Sequence, residues 1–155
     1  MAKIKLILSA CLIGIPCRYN GKSQKQKLHL PEEIEIYPIC PEVMGGLPIP
    51  RLPCEIQGEH VFNTAGKDCT KAFQKGAEKS LEIAKKRNCS LALLKESSPS
   101  CGVNFIYDGS FTGNKIPGQG ITTQLLRENG VKVFSENEFA QLKKVIHPRS
   151  STDKL

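Results

Sequence analysis

Apolar and polar positions along the chain fall into short solid runs separated by longer periodic stretches. Ile4-Lys5-Leu6-Ile7-Leu8, rich in branched apolar residues and closed by Ser9-Ala10, predicts a strand buried on both faces. Ile34 to Ile39, bounded by Pro31 and Pro41, predicts a second, and Leu91-Ala92-Leu93-Leu94 a third. Val131-Lys132-Val133-Phe134, after the helix-stopping pair Asn129-Gly130, predicts a fourth. Between the second and third runs, Phe73, Ala77, Leu81 and Ala84 form one helical stripe, with Asp68 or Thr70 as its cap. Gly118-Gln119-Gly120 leads into a second helix carrying Ile121, Leu125 and Leu126, whose amino end is expected to turn free N–H groups outward. A third helix, about Glu136 to Ile146, should bury Phe139, Leu142 and Val145 or Ile146. Asn104 to Thr112, centred on Asp108-Gly109, predicts a short hairpin. Alternating strands and helices define the expected class: a single α/β domain over residues 1–147, with a mostly parallel sheet flanked by helices. Residues 148–155, polar and without apolar period, are expected to be a flexible tail.

Composition narrows the class without changing it. The 155 residues are 39% apolar and 24% charged, which excludes disordered and fibrous chains. The longest apolar stretch, Ile4 to Ile15, is broken by Lys5, Ser9 and Gly14 and falls short of the roughly 18 residues a membrane-spanning helix needs. No secretory cleavage pattern follows it, so the cytoplasm is the expected compartment. A net charge of +7 suits an anionic partner such as a nucleotide or nucleic acid. Seven cysteines, an odd number in a chain read as cytoplasmic, argue for thiol or metal chemistry over a disulfide framework.

The cysteines divide by position. Cys11, Cys40 and Cys101 each follow the carboxyl end of a predicted strand, where parallel sheets bind ligands. Their spacing matches no zinc-ribbon or ferredoxin pattern, so it is topology that brings them together. Pro-Ile-Cys-Pro and Pro-Ser-Cys-Gly hold two of them in stiff loops, an odd place for a side chain that only fills space. Three thiolates are too few to close a tetrahedral zinc or four-cysteine iron–sulfur site, which leaves an open position of the catalytic kind. Cys54, Cys69 and Cys89 lack this setting, and Cys69 and Cys89 read as packing residues. Cys17 reads either as a fourth ligand or as an incidental neighbour of Cys11. His29, His60 and His147 lie in polar surroundings and are expected to face solvent.

Six blocks carry a resemblance: Ser9-Ala10-Cys11-Leu12-Ile13-Gly14, Arg18-Tyr19-Asn20-Gly21, Cys40 to Arg51, Gly66 to Thr70, Lys95 to Gly102 and Tyr107 to Gly113. Together they make the chain similar, over nearly its whole length, to the thiouracil desulfidase family of small iron–sulfur proteins. The resemblance implies a [4Fe–4S] cluster held by Cys11, Cys40 and Cys101, with one iron not bound by protein. It also implies catalytic roles for Glu42 and Ser98. The implied reaction is non-redox removal of sulfur, as sulfide, from 2- or 4-thiouracil or 4-thiouridine monophosphate. The sulfur would bind the free iron, a soft ligand on a soft metal. Glu42 would take a proton from the attacking water, and Ser98 would orient that water or the departing sulfur.

Further substrate contacts are expected from Arg18 and Arg51, which suit an anion, and from Gly45 and Gly46, which allow close approach of a flat base. Gly118-Gln119-Gly120 at a helix start is a candidate phosphate site. Free base, nucleotide and tRNA residue stay open as substrates, the positive charge favouring a nucleotide. Two other readings compete. One is an enzyme with Cys101 or Cys11 as nucleophile, opposed by the lack of a histidine near those loops in sequence. The other is an RNA-binding module using Lys22, Lys25 and Lys27, opposed by an aromatic content of only 6%.

Overall fold

The computed structural model describes residues 4–14, 19–20 and 33–146. Strand β1 (Ile4–Ser9) runs into a 3-10 turn (Ala10–Ile13), and β2 (Ile34–Ile39) into the single-turn helix α1 (Pro41–Met44). An antiparallel hairpin follows, β3 (Cys54–Gln57) with β4 (His60–Asn63), then the long helix α2 (Thr70–Arg87) and β5 (Leu91–Leu94). A second hairpin, β6 (Phe105–Tyr107) with β7 (Lys115–Pro117), precedes α3 (Ile121–Glu128), β8 (Lys132–Ser135) and α4 (Phe139–Ile146).

Strands β2, β1, β5 and β8 form, in that order, a parallel sheet. Side chains alternate across it as the pleat requires. Leu6, Leu8, Leu91 and Leu93 face a cluster closed by Leu142 and Ile146 of α4. Ile7, Ile39, Ala92, Leu94 and Val133 face the opposite cluster, closed by Ala84 of α2 and Leu126 of α3. The sheet is therefore covered on both faces, which explains why its strands read as near-continuous apolar runs. From β1 the chain moves outward to β2, then crosses back to β5 on β1's other side. The order of strands thus switches direction between β1 and β5, the place where such sheets open a crevice beyond their carboxyl ends.

Several local expectations are corrected. The hairpin expected over Asn104 to Thr112 is wider: its return strand is Lys115–Pro117, and Asp108 to Asn114 form the loop. The third helix starts as a 3-10 turn over Glu136–Glu138, capped by Ser135, and Val145 faces solvent while Leu142 and Ile146 are buried. At the start of α2 the cap position is Cys69, and Asp68 accepts from the Thr70 backbone and hydroxyl. Hairpin β3–β4 and helix α1 had no counterpart in the sequence reading.

Candidate active site

Three strand-to-loop junctions build one wall of a cavity of about 280 Å³ at the switch point. After β1, the 3-10 turn buries Cys11 and closes on Gly14, whose backbone sits in the left-handed region at φ 96°. After β2, Cys40 is the cap residue of α1, with Pro41 at the first helical position and Glu42 in the first turn. After β5, the loop 95–104 carries Ser98, Ser100 and Cys101 back over the strand ends. Cys11, Cys40, Cys101, Glu42 and Ser98 all line the cavity, as do Ser100, Cys54 and Arg51.

The loop after β5 is held from two sides. Its keystone is Glu96, 8% exposed, whose Oε1 accepts from four backbone amides: Ser97 (3.1 Å), Val103 (2.7 Å), Asn104 (2.9 Å) and Phe105 (3.1 Å). Burial acts to raise the Glu96 carboxyl, but donation from those amides outweighs it and the pKa falls below the ordinary carboxylate value. From the other side, the amino end of α3 grips the loop's carbonyls. Gly120 N–H donates to Gly102 (2.8 Å), Ile121 N–H to Pro99 (2.9 Å) and Thr122 N–H to Ser100 (2.9 Å). The Thr123 hydroxyl donates to the Cys101 carbonyl (2.9 Å). A Cβ on Gly120 would lie 2.4 Å from the Ser100 carbonyl, so only glycine lets the helix approach this closely. The helix start expected to offer free amides to a phosphate is thus spent on positioning the Cys101 loop, and that expectation is withdrawn.

Glu42 is held on both of its carboxylate oxygens at the cavity. Its Oε1 receives Arg51 Nε (3.1 Å) and Nη2 (3.0 Å), both side chains being largely buried. Its Oε2 faces the hydroxyls of Ser100 (3.2 Å) and Ser98 (3.5 Å). Arg51 also donates to the Pro48 carbonyl (3.1 Å), so its guanidinium serves the carboxylate and the loop beside it. Burial pushes the Cys101 thiol up to about 12, against the donated hydrogen bonds of Ser9 and Ser100 and with the neighbouring Cys11 raising it further. Cys54 is likewise pushed up to about 12, by burial first and then by Cys69 and Glu42.

Other residues singled out from sequence fall elsewhere. Gly45 packs α1 against α2, where its Cβ would meet the Ala72 carbonyl at 1.9 Å, and Gly46 takes the turn at φ 100°; neither lines the cavity. Arg18, Cys17, His29, His147 and Lys22, Lys25 and Lys27 lie outside the described residues. His60 is exposed, as expected, and faces Asp68 (3.3 Å). Cys69 and Cys89 are buried in packing clusters. Sequence reasoning missed Ser100 and Cys54. Ser100 differs in no local way from the serines around it, and Cys54 reaches the cavity only through the unforeseen hairpin.

A two-sided parallel sheet with thiols, a carboxylate and hydroxyls gathered at its switch point defines a small single-domain α/β protein with a thiol-lined crevice. Among solved structures, a [4Fe–4S]-dependent thiouracil desulfidase, TudS, is similar at 46% identity and a TM-score of 0.90, covering 93% of this chain and 98% of its own. Among curated proteins, the uncharacterized protein YbbK of Bacillus subtilis (strain 168) is 45% identical over 145 residues, covering 86% of this chain and 96% of its own. The family model for 2-thiouracil desulfurase matches residues 6–138, and the chain belongs to that family. Among the described residues, no helix is long and apolar enough to cross a membrane.

Proposed function

We propose that this chain is a desulfidase that converts a thiolated uracil and water to uracil and hydrogen sulfide without change of redox state. The observation that carries the reading is the convergence of Cys11, Cys40 and Cys101 with Glu42 and Ser98 on one cavity. Thiols gathered on one cavity supply soft donors, which suit iron and sulfide. Cys11, Cys40 and Cys101 would hold a [4Fe–4S] cluster whose fourth iron, not bound by protein, supplies a soft Lewis acid for the thiocarbonyl sulfur. Glu42 takes a proton from the attacking water, its carboxylate aimed into the cavity by Arg51. Ser98 orients that water or the departing sulfur by hydrogen bonding.

Of the cations lining the cavity among the described residues, Arg51 is paired with Glu42 and Lys95 with Glu136 (2.8 Å), while Lys115 lies over the Tyr107 ring. Arg18, expected to contact an anionic substrate, lies outside the described residues, so the net charge of +7 still favours the nucleotide and the free base is the comparison. The test is anaerobic reconstitution, iron and sulfide analysis, and sulfide release from 2-thiouracil, 4-thiouracil and 4-thiouridine monophosphate. Serine substitution at each of Cys11, Cys40 and Cys101 should remove both bound iron and activity. A protein that works without iron and loses activity at one cysteine only is a thiol-nucleophile enzyme instead, and the proposal fails.

A further inference from the structure

Ser98 and Ser100 lie side by side at the cavity, and their hydrogen bonds can be assigned a direction. Ser98 Oγ accepts from two backbone amides, Ser100 N–H (3.1 Å) and Cys101 N–H (3.1 Å). A hydroxyl has two acceptor sites and one proton, so Ser98 has no site left with which to accept from a neighbouring hydroxyl. The 2.9 Å contact between the two serine oxygens therefore has Ser98 as donor and Ser100 as acceptor. The single proton of Ser100 is then directed onward. Two acceptors are in reach, Glu42 Oε2 at 3.2 Å and Cys101 Sγ at 3.5 Å. The carboxylate oxygen, a charged acceptor, outcompetes sulfur, a weak one. The other oxygen of that carboxylate is already engaged by Arg51.

We propose that Ser100, 1% exposed and shielded from bulk water, is a positioning residue that fixes Ser98 as a hydrogen-bond donor and Glu42 Oε2 as an acceptor before substrate enters. The proposal rests on the reading of Glu42 and Ser98 as the reacting groups. Without Ser100, the Ser98 hydroxyl would swing to the more distant Glu42 Oε2 at 3.5 Å, and Oε2 would lose its nearer donor. Ser98, filled on its acceptor side by amides, has only its proton to offer; Ser100 holds that proton in the empty cavity, and it turns from Ser100 to the water or the departing sulfur when substrate enters. The α3 amino end serves the same end, because its Thr122 and Thr123 amides hold the Ser100 carbonyl.

The test has two arms on the cluster-loaded protein. In a double-mutant cycle, Ser100→Ala should lower kcat by about 10- to 100-fold with KM within about 3-fold, the pattern of lost positioning. Bound iron should be unchanged, and Ser98→Ala/Ser100→Ala should lose less than the product of the two single losses, because part of what Ser100 does passes through Ser98. Multiplying losses, or a loss of iron in Ser100→Ala, would overturn the proposal. In the second arm, a neutron map of deuterated wild-type crystals should place the Ser98 deuteron on the line to Ser100 Oγ and the Ser100 deuteron on the line to Glu42 Oε2. A Ser100 deuteron aimed at Cys101 Sγ overturns the assignment. A wild-type enzyme that releases no sulfide from 2-thiouracil, 4-thiouracil or 4-thiouridine monophosphate sinks the proposed function, and the neutron map then decides the serine arrangement by itself.

Discussion

Arg51 holds one oxygen of Glu42 with two nitrogens, Nε at 3.1 Å and Nη2 at 3.0 Å, and leaves the other oxygen to the serines. A planar guanidinium fixes a carboxylate in this way because its donors lie in a rigid fork, whereas an ammonium acts as a point charge. The pair links α1 to the following loop, since Arg51 also donates from its backbone to Tyr19 (2.6 Å) and from its side chain to Pro48. Glu42 is thus both a structural ion-pair partner and a group aimed at the cavity, two readings that a sequence sets in opposition and the fold reconciles.

Replacing Arg51 by Lys should keep the charge and lose the fork. The expected result is a fall in kcat of about 10-fold or more from misplacement of Glu42, with circular dichroism unchanged. Arg51→Met should do more, because it strands a largely buried carboxylate; a stability loss of about 3 kcal/mol or more in urea unfolding is expected. Wild-type activity in Arg51→Lys would show that the fork is incidental.

Glu96 sets an acid limit on the fold. Glu96→Gln replaces a charged acceptor of four amides and turns an amide donor toward Asn104 Nδ2, which donates to Glu96 Oε2 at 3.1 Å. The loss should be about 2–3 kcal/mol at neutral pH. Because the folded-state pKa of Glu96 is depressed, the unfolded chain binds this proton first. The contribution is therefore complete above the ordinary carboxylate value of about 4.3 and is lost as pH falls through the lower folded-state value. Urea midpoints of wild type and variant, measured down a pH series, should converge only on the acid side of that range. A constant gap would assign the loss to packing instead of charge.

What the sequence made legible follows from how local each signal was. Strands β1, β2, β5 and β8 announce themselves, because burial on both faces demands unbroken apolar runs and their ends are marked by Pro, Ser-Ala or Asn-Gly. Once those ends were known, Cys11, Cys40 and Cys101 could be named as neighbours; Glu42 and Ser98 came from family resemblance. Helix α1 is one turn long and has no period to read, although Pro41 after Cys40 is a helix-start signal. Hairpin β3–β4 was hidden because buried Glu55 interrupts its pattern; that carboxylate accepts from Gly109 N–H (2.9 Å) and Phe111 N–H (3.2 Å), contacts made far along the chain. The two residues Gly58-Glu59 between Gln57 and His60 were the available signal. The α3 amides look free in sequence for a similar reason, since their partner carbonyls lie in the Cys101 loop.

The contact of α1 with α2 should be sensitive to a single methyl group. A Cβ on Gly76 would lie 1.8 Å from the Pro41 carbonyl, and neither the helix backbone nor the proline can move aside without displacing Cys40 and Glu42. Gly76→Ala gains helix propensity yet should lose about 1–3 kcal/mol from overpacking. Reduced iron binding should accompany the loss, because Cys40 caps the helix being pushed. A variant more stable than wild type, as propensity alone dictates, would mean the helices slide apart freely.

Cys54 offers the contrast that gives the three-cysteine assignment its meaning. It lines the same cavity as Cys11, Cys40 and Cys101, yet it stands on hairpin β3–β4, away from the sheet's strand ends. Its thiol is committed to the Leu52 carbonyl at 3.7 Å and neighbours the packing residue Cys69. Cys54→Ser should therefore bind as much iron as wild type and retain activity within about 3-fold, the change in hydrogen-bonding group being small in energy. Iron analysis and sulfide release on the same preparation decide it. Loss of iron in Cys54→Ser would bring a fourth thiol into the ligand set and close the position proposed for substrate sulfur.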